Sequence, residues 1–353
     1  MSWRSDLLVP FLYPPSLIME GVVRGRNSMY ARGLLQARSL PAPVISIGNL
    51  TVGGSGKTPL AIYTAQLLQE MGARPALLSR GYGRDRSRTC HIIPPGAGIR
   101  VPARTVGDEP ALIRLRLPGM WLGISGDRLQ AASRILEQET NPVFLLDDGF
   151  QHRKLQRDLD IVVVDASQPL ARNRLLPLGT LREPLEALRR ADVTVIQGEA
   201  LESGGTPPEN VVRQFCPDGK IFHCRQNIEG VTPFPLWNDS ATPGLAAGTL
   251  KRAFLVAAIG NPFRFRRDVR ALGIDVVGVR FYRDHRRLDA REWDSCYARA
   301  QRLGAEALLT TEKDAVKIES TPGSPIMVAI QSTRMAEETE FRQLLKCRIG
   351  GSR

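Results

Sequence analysis

Lys57 and Thr58 directly follow a run of glycines, and this order of residue types could hold the phosphates of a nucleotide. The segment is VISIGNLTVGGSGKTP, residues 44–59. Small residues let backbone N–H groups surround phosphate oxygens at a helix N-terminus, where the helix dipole favours anions. The Lys57 side chain would reach the β- and γ-phosphates, and the Thr58 hydroxyl would bind Mg²⁺. The candidate ATP contacts are Thr51, Val52, Gly53, Gly54, Ser55, Gly56, Lys57 and Thr58.

Position 51 departs from the usual pattern of such loops. The pattern G-x-x-x-x-G-K-[ST] requires glycine where this chain has Thr51. A glycine-rich turn before an ordinary helix would share some of these residues. The order of an apolar strand, three glycines, Lys and Thr favours a phosphate loop over that alternative.

Two adjacent acids, Asp147 and Asp148, end a second apolar run, Val143–Leu146. In phosphate-loop enzymes an Asp at the end of a buried parallel strand supplies a further contact to Mg²⁺. The carboxyl ends of strands are also where α/β sheets bind their ligands. An Asp that only caps a turn is the alternative, and the upstream glycine loop favours the metal site.

Two further residues could take part in proton transfer. Asp108 lies in VGDEP, where a helix begins and acids favour the helix dipole whatever their function. His285 follows Asp284 at the end of an apolar run. A lone histidine in a loop is usually a surface residue, but this neighbour and this position favour a functional role.

The elements that must position these residues alternate between short apolar runs and helix-compatible segments. This pattern predicts an α/β protein with a P-loop NTPase-like (Rossmann-like), mostly parallel sheet core. It also predicts a second, smaller α/β domain, and irregular chain over residues 227–250. The polar residues 199–220 are a candidate boundary. The predicted domains are residues 1–38, 39–215 and 216–353, and the C-terminal helix is a candidate to pack back on the core.

The N-terminal segment predicts an amphipathic helix after Pro15. The apolar stretch over residues 7–19 is too short and too rich in proline to span a bilayer. Leu17, Ile18, Val22, Met29 and Tyr30 are spaced roughly as one helical face, with arginines beside it. A helix on an anionic lipid surface and a helix packed on its own domain both explain this pattern.

The net charge of +12 comes from seven lysines and 41 arginines against 36 acids. It indicates an anionic partner or a compositional bias towards arginine. The five cysteines form no C-x-x-C pair, which argues against a zinc or redox motif.

Taken together, eight segments resemble the tetraacyldisaccharide 4'-kinases, the lipid A 4'-kinases, in family order. They are residues 48–59, 79–84, 106–110, 146–165, 176–184, 259–265, 283–285 and 310–318. The resemblance implies transfer of the γ-phosphate of ATP, with Mg²⁺, to the 4'-hydroxyl of an acylated glucosamine disaccharide 1-phosphate. The product would be lipid IVA, in lipid A (lipopolysaccharide) biosynthesis. It further implies two α/β domains with a cleft between them, and a peripheral enzyme on the cytoplasmic face of the bacterial inner membrane. We expect an anionic lipid surface as partner, no nucleic acid and no obligate protein partner.

The resemblance also assigns roles to individual residues. Lys57, Asp108 and His285 match catalytic positions, with Asp108 as acid/base and His285 as its partner. Thr58, Asp147 and Asp148 match metal positions. The candidate substrate contacts are Asn49, Arg80, Tyr82, Glu109 and Arg182.

Two other functions remain as alternatives. A membrane-associated ATPase switch of the partitioning type has a similar loop, but such proteins carry Lys before the paired glycines, where this chain has Val52. A nucleic-acid-binding protein would suit the charge, yet only 6% of residues are aromatic and no binding motif is present.

Overall fold

The computed structural model describes residues 9–54, 56–85, 90–168, 170–171, 173–199, 206–239, 250–319 and 323–350. The predicted ATP contact Ser55 and the first eight residues lie outside this part of the chain.

The described residues form alternating strands and helices. The strands are β1 Val44–Asn49, β2 Arg74–Ser79, β3 His91–Ile93, β4 Trp121–Ile124, β5 Pro142–Asp147, β6 Leu159–Asp165, β7 Val193–Gln197, β8 Lys220–Pro233, β9 Arg252–Ala257, β10 Asp275–Phe281, β11 Ala307–Thr311 and β12 Ile326–Met335. The α-helices are α1 Val9–Ala31, α2 Lys57–Glu70, α3 Ala103–Val106, α4 Asp108–Arg116, α5 Arg128–Leu136, α6 Pro208–Phe215, α7 Phe234–Asp239, α8 Pro262–Ala271, α9 Ala290–Arg302, α10 Glu312–Ala315 and α11 Glu338–Gly350. A 3-10 helix spans Leu185–Arg190.

The chain divides into two compact units, each assembled from separate segments. Unit 1 comprises Met1–Lys57, Val143–Arg225 and Met335–Arg353, and unit 2 comprises Thr58–Pro142 and Gln226–Arg334. The predicted domain boundaries after residues 38 and 215 remain predictions.

Unit 1 is built on parallel strands in the order β8-β7-β6-β1-β5. Strands β1, β5, β6 and β7 are buried along their whole length. Their near-continuous Val, Ile and Leu content is the composition that a parallel sheet covered on both faces requires. The register sets Ile47 of β1 opposite Asp147 of β5. Parallel pairing thus brings the carboxyl end of β5 beside the start of the glycine loop.

Unit 2 contains two groups of strands. In one, β2 pairs with β4 in parallel, and the short β3 pairs with β4 antiparallel. In the other, β10, β9, β11 and β12 follow one another in parallel. Apolar side chains of β9, β10, β11 and α8 form a core that includes Leu255, Phe265 and Leu309. This core supports the strand ends from which His285 and α10 follow.

Two predictions of local structure differ from what is observed. Residues 227–250 were expected to be irregular, but β8 runs to Pro233 and α7 follows it. The strand alternates only loosely between buried and exposed positions, and this weak pattern resembles irregular chain. Helix α6 occupies part of the polar stretch 199–220, and its Val211 and Val212 pack in the unit 1 core.

Helix α1 begins at Val9 and continues through Pro14 and Pro15, rather than beginning after them. Among the described residues, no helix combines the length and the apolar character needed to cross a membrane.

One stripe of α1 contacts the rest of unit 1. Ser16 donates to the Leu175 carbonyl at 3.0 Å, and the Asn27 amide donates to Glu183 at 2.8 Å. Glu183 is fully buried and also accepts from Arg190 at 2.9 Å. Burial by itself raises the pKa of Glu183, but the hydrogen bonds from Arg190 and Asn27 and the charges of Arg190 and Arg26 lower it overall. Glu183 of the LPLGTLREP segment therefore stays ionised and holds the helix in place.

Candidate active site

The glycine loop between β1 and α2 has backbone angles that glycine adopts readily. The φ angle is +112° at Gly53 and +80° at Gly56. A Cβ atom at Gly53 would meet nothing within 4 Å. The positive φ angle, and not steric crowding, therefore explains why glycine is favoured at this position. The loop therefore has the left-handed turns that let successive N–H groups face one anion.

The segment 176–184 lies alongside the start of this loop in unit 1. Val52 donates its backbone N–H to the Thr180 carbonyl at 2.8 Å, and Arg182 donates to the Leu50 carbonyl at 2.7 Å. These backbone hydrogen bonds fix the position of the Arg182 backbone beside the glycine loop.

Lys57 is the first residue of α2 and is buried among polar groups of unit 1. Its Nζ lies 3.1 Å from Asn49 Oδ1 and 3.4 Å from Asp148 Oδ1. Arg182 Nη1 lies 2.6 Å from Asp148 Oδ2. The Gln151 amide nitrogen donates to the Asn49 carbonyl at 2.9 Å. We call these five residues the Lys57 cluster.

Two cations share the Asp148 carboxylate. Burial raises the pKa of Asp148, but the charges of Lys57 and Arg182 outweigh it and the pKa is lowered. Asp148 also has a φ angle of +48°, a left-handed conformation that Asp tolerates better than most residues. The residue is thus held, ionised, in a turn directly after β5.

The acids that end β5 fit Mg²⁺. Asp147 is buried at the end of this strand and Asp148 follows it. The predicted metal residue Thr58 is the second residue of α2 and belongs to unit 2. Carboxylate and hydroxyl oxygens are the hard ligands that Mg²⁺ prefers, and it usually takes one or two carboxylates together with substrate phosphates. Within the described ranges no group of three His, Cys, Asp or Glu could hold a metal by itself. The residues therefore suit an ion that binds together with a nucleotide.

Two glycines let the turns of SRGYGR and VGDEP approach each other in unit 2. A Cβ atom at Gly107 would lie 2.6 Å from the Tyr82 carbonyl oxygen, and one at Gly81 would lie 2.5 Å from the Val106 carbonyl oxygen. Both glycines also have positive φ angles, +98° and +69°. Larger residues are excluded at both positions, and the approach places Asp108 against the turn that carries Tyr82.

Asp108 and His285 meet although 177 positions separate them along the chain. His285 Nδ1 lies 3.0 Å from Asp108 Oδ2. Asp108 is only 1% exposed, and its Oδ1 has no hydrogen-bond partner among the residues that the structure describes. A buried carboxylate oxygen without a partner is costly, and such groups are often found where a substrate binds.

His285 is held in an unusual backbone conformation. Its φ angle is +65°, and its N–H donates to Asp284 Oδ1 at 3.0 Å and to the Ala258 carbonyl at 3.2 Å. The Tyr82 ring packs against the imidazole with centroids 4.7 Å apart. Left-handed residues other than glycine are concentrated at functional sites. Asp148 and His285 are two of the three in the described part of the chain.

Comparison with known proteins decides the family. The family model described as "Tetraacyldisaccharide-1-P 4'-kinase", LpxK, matches residues 8–350. This chain belongs to the LpxK family. The match covers nearly the whole chain, so it confirms the resemblance and the enzyme class inferred from the sequence.

Individual relatives support the assignment to LpxK. The chain is 40% identical over 314 residues to "Tetraacyldisaccharide 4'-kinase" of Geobacter sulfurreducens, covering 89% of this chain and 85% of that protein. It is 33% identical over 354 residues to the protein of the same name from Desulfotalea psychrophila, covering 97% of each. A crystal structure of LpxK from Aquifex aeolicus in complex with ATP superposes with a TM-score of 0.75 at 30% identity, covering 98% of this chain and 99% of that one. The predicted P-loop kinase fold class is confirmed.

The structure places the predicted LpxK site residues in two separate groups. Lys57, Asn49, Asp148 and Arg182 come together in unit 1. Asp108, His285 and Tyr82 come together in unit 2. Arg80 is exposed, and Glu109 faces Lys313 at 3.3 Å. The roles assigned to all of these residues remain predictions.

Two polar neighbours of these groups were missed by sequence reasoning. Gln151 belongs to the LDDGFQH segment, and Lys313 belongs to TTEKDAVKI. Both lie just beyond the carboxyl end of a parallel strand, which is the signal that could have found them.

Proposed function

We propose that this chain transfers the γ-phosphate of ATP to the 4'-hydroxyl of a tetraacylated glucosamine disaccharide 1-phosphate, forming lipid IVA. The observation that carries the proposal is the contact between the buried Asp108 and the half-buried His285, 3.0 Å apart, in a chain of the LpxK family. A hydroxyl acceptor requires a base of this kind, whereas a nucleotide switch requires only a positioned water.

The Lys57 cluster would neutralise the negative charge of the phosphate groups. Phosphoryl transfer passes through a loose transition state, so positioning and electrostatics supply most of the catalysis. Lys57 would bind phosphate oxygens, and Asp148 and Asn49 would hold its ammonium group in place. Mg²⁺, held by Asp147, Asp148 and Thr58, would supply further neutralisation of the phosphate charge.

Proton transfer would be the work of the Asp108–His285 pair. Asp108 would accept the proton of the 4'-hydroxyl as the new bond to phosphorus forms. His285 would orient the Asp108 carboxylate through their hydrogen bond and stabilise its charge. The exposed ring of Tyr82 and the guanidinium of Arg80 would contact the acceptor.

The decisive experiment follows transfer of ³²P from γ-labelled ATP to the tetraacyl disaccharide 1-phosphate. The purified chain alone, in detergent micelles with Mg²⁺, should produce a labelled lipid. A parallel reaction without lipid measures ATP hydrolysis. Hydrolysis that proceeds without any labelled lipid would favour the partitioning-type ATPase and exclude the kinase.

The exposed stripe of α1 supports a peripheral position on the inner membrane. Phe11, Ile18, Val22 and Met29 are 76%, 69%, 63% and 43% exposed. Their spacings of seven, four and seven residues put them on one side of the helix. The anchored residues Ser16 and Asn27 lie on the other side. We place this stripe in the cytoplasmic leaflet, where ATP is available and anionic headgroups attract a basic protein.

Replacing Phe11, Ile18 and Val22 by serine should release the chain from anionic vesicles. Each exposed apolar side chain contributes about 1 kcal/mol on partial burial, so the loss of all three should weaken binding by about 10²-fold. Vesicle co-sedimentation measures the effect. A matched control replaces Leu236, Leu272 and Leu303, exposed apolar residues of unit 2, by serine. Equal sedimentation of both triple variants would contradict this position.

A further inference from the structure

The segment TTEKDAVKI, residues 310–318, carries four charged side chains that the proposed chemistry does not use. Three of them serve the fold of unit 2. Glu312 is buried and accepts from Arg116 at 3.0 Å and from the Trp237 indole at 3.2 Å. Asp314 and Lys317 form a buried pair at 2.5 Å.

Lys313 is the exception, because its partners lie beside the Asp108–His285 pair. Its Nζ lies 3.3 Å from Glu109 Oε1 and 3.8 Å from Asp284 Oδ1. Glu109 is the residue after Asp108, and Asp284 is the residue before His285. One ammonium group therefore joins the two segments that supply the pair.

Asp284 connects Lys313 to His285, because it contacts both residues. Its Oδ1 accepts the backbone N–H of His285 at 3.0 Å, and its Oδ2 lies 3.7 Å from His285 Nε2. The left-handed conformation of His285 needs such support, since the backbone does not favour it. If Asp284 moved away, the ring would lose a contact on the side opposite to Asp108.

The charges around the Asp108–His285 pair give Lys313 an electrostatic role in addition to its structural one. Burial lowers the pKa of Lys313, but Glu109, Asp284 and Asp108 raise it by more, so the side chain stays cationic at neutral pH. The nearby Arg287 donates to the Gly83 carbonyl at 2.8 Å and lies 3.9 Å from Asp85.

On the same short helix, the charges of Glu312 and Asp314 are paired with Arg116 and Lys317. Without Lys313, the three carboxylates of Asp108, Glu109 and Asp284 would lose the cation that they share.

We infer that Lys313 is a positioning residue for the kinase reaction, one that holds Glu109 and Asp284 so that His285 and Asp108 keep their geometry and charge state. The inference rests on the proposed function. Loss of the cation leaves Glu109 and Asp284 without their shared partner, so the two segments no longer hold Asp108 and His285 in contact.

The test compares Lys313→Met with Lys313→Arg and with the exposed-site control Lys346→Met. We expect Lys313→Met to lower kcat at neutral pH about tenfold and to move the acid limb of the pH–rate profile upward by about one unit. The KM for ATP should change little. Lys313→Arg keeps the charge and should restore kcat to within about threefold of wild type, with the profile close to its original position. Lys346→Met should leave both unchanged.

The outcomes separate this role from a purely structural one. A residue that only packs would lower the thermal midpoint without moving the pH profile, and that result would overturn the inference. An unchanged profile in Lys313→Met beside an active wild type would also overturn it. Lys313→Arg tests the charge even if Lys313→Met fails to fold, because an active Arg variant with a displaced profile contradicts the role. A wild type that labels no lipid overturns the proposed function, and this role with it.

Discussion

Asp108→Asn is expected to lower kcat for lipid phosphorylation by about 10²- to 10⁴-fold, the usual range for loss of a general base. Asparagine has nearly the shape of aspartate, so the buried site should keep its packing. The amide can still bond His285, but it cannot accept a proton from the acceptor hydroxyl. The KM for ATP should change little, because the loss falls on the chemical step.

The control for this variant is Asp218→Asn, which removes a carboxylate from an exposed position. Its kcat should equal that of wild type. Thermal unfolding of both variants reports whether the fold survives. A folded Asp108→Asn protein with near-normal kcat would remove Asp108 from the chemistry.

His285→Gln adds a second measurement on the same pair. If His285 acts by orienting Asp108, its loss should cost less than the loss of Asp108 itself. The double variant should then be hardly slower than Asp108→Asn alone, because residues that act as a unit give non-additive effects. Additive losses would instead indicate two independent roles.

Part of the candidate site could be predicted because it is local in sequence. The glycine loop, Lys57 and the Asp147–Asp148 pair each follow an apolar run, and neighbouring parallel strands bring such ends together. The observed pairing of Ile47 with Asp147 and the 3.4 Å contact between Lys57 and Asp148 have this origin. The alternation of strands and helices was enough to predict that these residues lie close together.

The rest of the site depends on tertiary contacts that no local pattern encodes. Asp108 and His285 are joined by the close approach of Gly81 to Gly107 and by the left-handed turn at His285. From the residues alone, Asp108 was also an ordinary acid at the start of a helix. Its partner could be named only because the motifs resembled a family. Lys313 was missed because its two carboxylates lie on segments distant in sequence.

Glu183 shows the same limit for a structural residue. Its segment indicated only a loop followed by a helix. In the structure Glu183 is fully buried and joins α1 to the 3-10 helix through Asn27 and Arg190. Burial of this charge is possible because Asn27, Arg190 and Arg26 all contact the carboxylate, and such contacts are a property of the folded chain.

Lys57→Ala is expected to lower kcat by about 10³-fold, the scale at which one electrostatic group stabilises a transition state. The ammonium group would lie where negative charge gathers on the transferring phosphate, and no neighbouring cation could replace it. Arg182 is 2.6 Å from Asp148 Oδ2 and already engaged there. That ion pair keeps Asp148 partnered in the variant, so the fold should survive.

Lys154→Ala, which truncates an exposed lysine of the same unit, is the matched control and should remain fully active. Single-turnover transfer of ³²P measures the chemical step, and calorimetry with ATP measures binding. A Lys57→Ala protein that binds ATP weakly but transfers phosphate at the wild-type rate once saturated would limit Lys57 to binding, because only interactions stronger in the transition state raise kcat.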